Sequence, residues 1–505
     1  MSNRFLRSLI RVLDDDSLLN IFDLCRPVLL DEDVVRNDRI LQGGKWSRER
    51  WWYKLTHVCR RWRYLILEST SHLGLSLLCT YGTPVADMLA HSPPLPLIID
   101  HVDRSRPITA EDEEQIMLAL QYHNRIRRIR LLVPGWNLQK FIAAIDKEFP
   151  ILEYLYIKPL TYNNIGFVVP EILQAPHLRH LVLSNFAFAL GSPLFTTASK
   201  LITLSLNEIP PSAYVHPGDL LRYISHMTQL QTLGVNFRSS LPNHDIQRRN
   251  LEVPITTRVT FRNLRWFGFK GASSYLETLL SQINAPVLEK LQVDFFNQLT
   301  ISIPNTQQFM SSTGNLRFTR ATLKFDEMSV NLWVYPREET SMYALKIGVI
   351  GQHHDWHVSS AAQIISALSP VFSTVVDLSL RLDNWKRTSS PEWHNEADRT
   401  LWHEVLRSFN NVKSLHVQHG LLEELSRSLQ LQDGESPVEL LPELKELRYD
   451  AGSDISGDAF VSFLDGCRNA GRPFTLVPIH KLRTPSPVTV DPTFHPICTG
   501  LFGPM

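Results

Sequence analysis

From about residue 75 onward, apolar residues recur in short units of the form Leu-x-x-Leu-x-Leu, in which Ile, Val or Phe can replace Leu. Alternation between the middle and last apolar positions predicts a β-strand with one buried face. The clear copies begin at Leu152, Leu178, Leu201, Leu230, Leu264 and Leu288, and weaker copies begin at Val375, Val412 and Leu444. The clear starts are 26, 23, 29, 34 and 24 residues apart, so the pattern predicts an irregular repeat.

A helical pattern fits between successive strands. Leu276, Leu279, Leu280 and Ile283 share one side of a helix predicted over 275–283. A period of 20 to 40 residues with one strand and one helix is typical of a leucine-rich-repeat solenoid, so we expect one long curved parallel sheet with helices outside. The alternative is an ordinary α/β domain with leucine-rich strands, but a doubly wound sheet rarely needs so many copies of one strand formula.

The chain between about 12 and 70 has a helical period instead. Asp14, Asp15 and Asp16 stand where capping and the helix dipole favour acidic residues. The apolar side of this first helix is formed by Leu18, Leu19, Ile21 and Phe22. A polar segment follows at about 27–50, and helical patterning resumes at Trp51, where Leu55, Val58, Trp62 and Ile66 are spaced to share one face. So small a helical unit cannot bury this face alone, so we expect a partner.

The composition narrows the possible partners. Lys and Arg total 51, as do Asp and Glu, so no net field favours nucleic acid or an acidic membrane. Arg125, Arg127, Arg128 and Arg130 alternate with apolar residues, which indicates the solvent face of one strand. Five scattered cysteines without a C-x-x-C pair indicate a reducing compartment. Without a visible signal peptide or membrane span, we expect a soluble cytoplasmic or nuclear protein.

No catalytic motif is apparent. The sequence lacks the nucleophile elbow, the P-loop and the dinucleotide fingerprint, and His403-Glu404 lacks the second histidine of a metalloprotease helix. The cluster from His353 to His357 is the best metal candidate, but it also fits a polar loop between repeats. We therefore expect no metal, no cofactor and no enzyme activity; an enzyme with an unrecognised site is the remaining alternative.

The positions on either side of the middle Leu of each strand would line the concave face of a solenoid. Three of them in this chain are large aromatics, namely Tyr154, Tyr156 and Trp266. Aromatic residues are enriched at binding hot spots, so these three are candidates for contact with a protein client. The alternative is that they pack against a neighbouring strand or loop.

Two N-terminal segments resemble an F-box. Residues 13–22 (LDDDSLLNIF) and 55–63 (LTHVCRRWR) follow the family pattern of Leu-Pro-acidic-acidic-apolar-Leu, then Ile-Phe, then Val-Cys-basic-x-Trp. The polar insertion and the later stretch 72–80 are similar to the expanded F-box-like families of mushroom-forming fungi. Asp14 and Ser17 depart from the pattern, because the family has proline and an apolar residue there.

The resemblance implies a substrate-receptor subunit of a cullin–RING (SCF-type) ubiquitin ligase. The F-box would bind an Skp-family adaptor and through it a cullin, and the repeats would bind a protein client; no nucleic acid or membrane is implied. The adaptor contacts implied by position are Leu13, Leu18, Ile21, Phe22, Val58, Cys59, Trp62 and Ile66. A second hypothesis is a repeat scaffold whose decayed F-box only caps the solenoid.

The expected fold is therefore α/β in three parts. A small helical F-box-like domain spans 9–72, with its polar insertion at about 27–50. A degenerate leucine-rich-repeat-like solenoid follows over 73–483, and a proline-rich tail spans 484–505.

Overall fold

The structure is a computed structural model of the 505-residue chain. The residues that it describes are 13–25, 51–103, 106–160, 166–189, 191–239, 258–296, 298, 300–314, 316, 318–326, 328–336, 342–350, 354–382, 398–418, 421–429, 440–450 and 460–479. The predicted insertion at 27–50 and the predicted tail at 484–505 both lie wholly outside these residues.

Most strands belong to a single sheet of 16 strands. Its spatial order is β1-β2-β3-β4-β6-β8-β9-β11-β13-β16-β15-β14-β17-β18-β19-β20. The strands are β1 Leu77–Cys79, β2 Leu97–His101, β3 Ile126–Val133, β4 Tyr154–Pro159, β5 Phe167–Val168, β6 His180–Ser184, β7 Phe186–Ala187, β8 Thr203–Ile209, β9 Thr232–Phe237, β10 Val259–Thr260, β11 Trp266–Gly271, β12 Ile283–Asn284, β13 Lys290–Phe296, β14 Phe318–Phe325, β15 Ser329–Pro336, β16 Leu345–Ile350, β17 Asp377–Leu382, β18 Ser414–Val417, β19 Glu446–Asp450 and β20 Thr475–Ile479. Two small parallel pairs, β5 with β7 and β10 with β12, stand apart from it.

Helices connect many of the strands. They are α1 Asp15–Leu24, α2 Trp51–Thr56, α3 Arg60–Glu68, α4 Val85–His91, α5 Ala110–Gln121, α6 Gly135–Ile145, α7 Pro193–Thr197, α8 Pro217–Ile224, α9 Ser273–Ser281, α10 Pro304–Ser312, α11 His354–Ala367, α12 Ser369–Phe372, α13 Asp398–Arg407, α14 Leu422–Leu429 and α15 Val461–Asn469. Strand and helix alternate along a large, mostly parallel sheet, which is consistent with a leucine-rich-repeat-like solenoid.

The nine copies of the strand formula all form strands of this sheet. Each strand begins two residues after the first apolar position of its copy, as β4 does after Leu152. The parallel register places the middle apolar residues side by side, so Leu155, Leu181, Leu204 and Leu233 form one fully buried row. The formula is therefore confirmed as the part of the sequence that sets the core.

The expectation of a wholly parallel sheet is wrong at its centre. Strand β15 pairs antiparallel with both β14 and β16. Only three residues separate β14 from β15, and a connection that short can join antiparallel strands but not parallel ones. The Asp326 carboxylate accepts hydrogen bonds from Met328 N at 2.9 Å and Ser329 Oγ at 2.7 Å, which stabilises this connection.

The arginine-rich segment forms β3, but its face is not fully solvated. Arg130 lies opposite Asp100 of β2, and the two side chains form a buried ion pair at 2.9 Å. The prediction of a solvent face is therefore wrong for Arg130, because its side chain pairs with Asp100 and the two are buried together.

The N-terminal helices also differ from prediction at one point. Residues 57–59 separate α2 from α3, so Val58 and Trp62 do not share one helix. The turn begins where His57 N and Val58 N donate to carbonyls three residues back, and Cys59 has extended backbone at the start of α3. The predicted cap is present, because the Asp14 carboxylate accepts a 2.7 Å hydrogen bond from Ser17 N.

None of the helices among the described residues is long and apolar enough to cross a membrane.

Candidate functional site

The N-terminal helices carry an unusual number of exposed apolar side chains. Of the fourteen large hydrophobic side chains that are exposed among the described residues, six lie between positions 13 and 64. We call these six the N-terminal apolar surface: Leu13, Ile21, Leu24, Tyr53, Val58 and Tyr64. Leu24 is 85% exposed and Val58 is 53% exposed, whereas isolated exposed apolar residues elsewhere are ordinary.

The eight residues suggested for adaptor binding fall into two groups. Leu18, Phe22 and Ile66 are buried, and they belong to the same hydrophobic cluster as Leu73 and Leu75 next to β1. These three stabilise the helical unit, so a partner docking on this conformation does not reach them.

The rest of the predicted set lies nearer the surface. Leu13, Ile21, Val58 and Cys59 are exposed, and Trp62 is half-buried. The Trp62 ring packs edge-on against Phe22 with ring centroids 4.8 Å apart. Trp62 therefore connects α3 to the buried core of the helical unit.

An ion pair holds α1 against α3. Arg61 donates to the Asp15 carboxylate at 2.6 Å and to the Leu13 carbonyl at 2.6 Å. The hydrogen bond from Ser17 N holds the pKa of Asp14 below its ordinary value. Exposed ion pairs contribute little to stability, so this contact matters mainly because it sets the position of the two helices.

The sheet has a second, polar surface opposite its leucine rows. We call it the polar face; it consists of the alternate strand positions, such as Tyr154 and Tyr156 on β4. Of the three predicted aromatic client contacts, Tyr154 is 6% exposed, while Tyr156 and Trp266 are half-buried. The ring centroids of Tyr154 and His180 are 5.5 Å apart, so Tyr154 packs against a side chain of the neighbouring strand.

The Trp266 ring lies flat along the polar face because its neighbours are glycines. A Cβ at Gly268 would stand 2.2 Å from Trp266 Cη2, and one at Gly234 would stand 3.4 Å from Trp266 Cζ3. The register places Gly234 and Gly268 side by side, so together they form the bed on which the indole rests.

Ion pairs neutralise several charges on the polar face. Lys346 contacts Asp294 at 2.8 Å, with both side chains nearly buried. Lys270 contacts Glu208 at 3.3 Å. Removing one partner of such a pair leaves a charge without compensation, which is strongly destabilising.

Three further cations of the polar face lie against aromatic rings. Lys290 Nζ is 3.9 Å from the centre of the Tyr343 ring, Lys324 Nζ is 5.4 Å from that of Trp333, and the Arg320 guanidinium is 5.1 Å from that of Tyr335. The Trp333 and Tyr343 rings are 5.4 Å apart. We call these six residues the central stripe. Sequence reasoning missed its aromatic residues because β15 and the segment before β16, which carry them, lack the leucine formula.

A cluster of titratable groups lies near the start of the sheet. His101 is buried against the Tyr81 ring, and burial lowers the pKa of His101 to about 4. Burial also raises the pKa of Tyr81 to about 12. Burial alone would raise the pKa of Asp112, but hydrogen bonds from Gly82 N and Thr109 outweigh it and lower that pKa. Because His101 is buried, we assign this cluster a structural role.

A small pocket between α6 and the sheet is lined only by apolar residues such as Ile145, Leu155 and Leu183. Among the described residues, no group of three or more His, Cys, Asp and Glu side chains could hold a metal ion. Of the predicted histidine cluster, His357 is buried, and the side chains of 353–356 lie outside the description.

Comparisons with known proteins do not assign this chain to a family. No protein-family model matches the sequence, and no curated protein matches it. Among solved structures, the chain is similar to the leucine-rich repeat-containing protein LegL7 from Legionella pneumophila, at 12% identity over 81% of this chain and 91% of that chain. The TM-score is 0.23, and at these values the two chains share too little geometry to assign a family.

Proposed function

We propose that the protein is a substrate receptor of a cullin–RING ubiquitin ligase. In this proposal the N-terminal apolar surface binds an Skp-family adaptor, and the polar face of the sheet binds a protein client. The protein itself performs no catalysis; ubiquitin transfer belongs to other subunits. The F-box-like motif in 13–22 and 55–63 supplies the identity of the adaptor.

The observation that supports the proposal best is the concentration of exposed apolar residues on and next to the three helices α1, α2 and α3. Exposed apolar patches on a folded protein are typical of protein-binding surfaces, because their burial removes apolar area from water. Ile21 and Val58 both belong to the motif and to the N-terminal apolar surface. They are therefore the residues on which adaptor binding should depend most directly.

The test is co-expression of the full chain with an Skp-family adaptor, followed by size-exclusion chromatography. The wild-type chain should elute with the adaptor, and the double variant Ile21→Asp/Val58→Asp should elute without it. The matched control is Ile172→Asp/Val168→Asp, which makes the same changes at exposed positions distant in sequence and should keep the complex. Retention of the adaptor by the first variant would overturn the proposal.

Trp62→Ala is a weaker test of the same idea. Because the Trp62 ring packs on Phe22, its removal also damages the core of the helical unit. Loss of binding by that variant would therefore not separate contact from folding, whereas Ile21 and Val58 are exposed and can be changed with little effect on packing.

A second function is favoured by a different observation. Leu18, Phe22 and Ile66 share one continuous hydrophobic cluster with the beginning of the sheet, as the end cap of a solenoid would. In that case the protein is a protein-binding scaffold, and its helices protect the first strand. It would then be monodisperse alone and would form no complex with the adaptor.

A further inference from the structure

One part of the polar face carries no Lys, Arg, Asp or Glu. On the three neighbouring strands β6, β8 and β9, the positions of this face are His180, Val182, Ser184, Thr203, Ser205, Asn207, Thr232, Gly234 and Asn236. At its border Lys270 pairs with Glu208 at 3.3 Å, so that cation is compensated. A charged ligand group would lose hydration here and meet no opposite charge, so the region favours an uncharged partner.

Trp266 adds a flat apolar ring to this uncharged region. Three atoms of its six-membered ring lie within 2.9 Å of the place where a Cβ of Gly268 would stand, so one ring face rests on the strand backbone. The side chain is only half-buried, so the opposite ring face is available to a ligand. Lys290, its neighbour on β13, places its ammonium on the Tyr343 ring. A ring already held in place loses little conformational entropy when a ligand binds.

A chain of hydrogen bonds runs beside the ring. Asn236 Nδ2 donates to Asn207 Oδ1 at 2.7 Å, and Asn207 Nδ2 donates to Ser205 Oγ at 3.1 Å. Ser205 Oγ and the indole border the same glycine, because a Cβ at Gly234 would lie 3.0 Å from the hydroxyl and 3.4 Å from Trp266 Cζ3. The Asn236 amide oxygen has no hydrogen-bond donor among the described residues, so it can accept one from a ligand. We call Trp266, Ser205, Asn207 and Asn236 the Trp266 platform.

The spacing within the platform matches a polyproline II segment. The indole lies beside Gly234, and Asn236 is two residues further along β9, which corresponds to about 7 Å. Residues two apart in a polyproline II helix are separated by about 6 Å. Such a segment makes no internal hydrogen bonds, so its peptide groups remain available to side chains. One proline ring can therefore stack on Trp266 while a nearby peptide N–H donates to Asn236.

We infer that the Trp266 platform binds an uncharged, proline-containing segment of a protein client in the polyproline II conformation. Flat aromatic surfaces bind such segments in general, because the preformed helix loses little entropy on docking. This inference rests on the proposed function, since it specifies the kind of client segment that the polar face recognises.

The experiment is fluorescence anisotropy with the full chain and a labelled dodecapeptide of alternating proline and serine. The peptide should bind with a Kd of about 1 mM or tighter, and added salt should leave the affinity unchanged because the platform is uncharged. The matched alanine–serine peptide should bind at least about tenfold more weakly, because it lacks the proline rings.

Two variants test the two parts of the platform. Trp266→Ala should lose about tenfold or more in affinity, and Trp136→Ala, which removes an exposed tryptophan of α6, should bind like the wild type. Asn236→Leu should lose about threefold to tenfold, and its control Asn263→Leu, at an exposed position outside the polar face, should lose nothing. If Trp266→Ala lowers the thermal midpoint, Trp266→Leu replaces it and should again lose affinity.

Any of four results would overturn the inference: no binding of the proline peptide, equal binding of the two peptides, unchanged binding by the Trp266 variants, or tighter binding of labelled maltoheptaose, an uncharged ligand of another class. Adaptor co-elution is measured on the same samples. A chain that binds the peptide but not the adaptor retains this inference and refutes the ligase role, whereas a chain that binds only the adaptor does the reverse.

Discussion

The N-terminal helices and the strand array differ in how far their apolar side chains are buried. In the array, the middle residue of each strand formula is fully buried, as Leu233 and Leu291 are. In the helices, the apolar residues divide between a buried core at Leu18 and Phe22 and an exposed surface at Ile21 and Val58. Repetition lets each unit of the array cover its neighbour, whereas a short helical unit has too few elements to cover itself.

The largest expected effect separates the two regions by stability. Leu291→Ala should lower the free energy of unfolding by about 2–5 kcal/mol, because it opens a cavity in a fully buried row. Ile21→Ala should change it by less than about 0.5 kcal/mol, because Ile21 is exposed. Thermal and urea unfolding of both variants measures the difference, and equal losses would remove the distinction between the regions.

Acid should destabilise the end of the array that adjoins the helices. The pKa of His101 is about 4 in the folded chain and 6.5 in the unfolded one, so only the unfolded chain takes up this proton at intermediate pH. Stability is fully present above pH 6.5 and falls by up to about 3 kcal/mol as the pH drops towards 4.

The measurement is the unfolding midpoint as a function of pH for the wild type and for His101→Phe. The phenyl ring preserves the contact with Tyr81 but does not titrate, so this part of the acid dependence should disappear. An unchanged profile in the variant would mean that other groups cause the loss.

The glycine bed of the polar face gives a smaller effect. Gly268→Ala places a methyl group 2.2 Å from the Trp266 indole, so the ring must move; we expect a loss of about 1–3 kcal/mol and altered tryptophan fluorescence. Gly314→Ala is the control, because nothing lies within 4 Å of its added Cβ. If both variants behave alike, Trp266 is not held by the bed.

The smallest expected effect is a gain. The Tyr275 hydroxyl is buried among Phe237, Phe269 and Tyr214 and finds no hydrogen-bond partner among the described residues. Tyr275→Phe removes a polar group whose burial is uncompensated, so stability should rise by about 1 kcal/mol. Phe269→Ala provides the opposite reference, and a loss of stability in Tyr275→Phe would show that the hydroxyl does have a partner.

Much of the fold could be predicted from local pattern. The leucine formula located nine strands. Apolar residues at every second position indicate a strand with one buried face, and this signal can be read from a few neighbouring residues. The acidic run at 14–16 located the start of α1, because the Asp14 side chain caps its own helix. The sequence analysis did not predict strands β14, β15 and β16. In β14, however, the polar residues Arg320, Thr322 and Lys324 occupy every second position, which is typical of a strand.

The candidate surfaces could be predicted less well. The spacing of Val58 and Trp62 suggested one helix face, but the turn at 57–59 separates them. The three aromatic residues chosen on the polar face include Tyr154, which the structure buries, and exclude Trp333 and Tyr343 of the central stripe. Burial depends on which strands become neighbours, and that information is not local in sequence.

The sequence by itself determined where strands begin, which of their residues face the core and where α1 starts, because these properties depend on residues within one or two turns of each other. Only the tertiary structure decided that β15 runs antiparallel, that Arg130 pairs with Asp100, and that Lys290 and Lys324 share one stripe with two aromatic rings. These contacts join positions far apart in the chain, so they exist only once the sheet has placed them side by side.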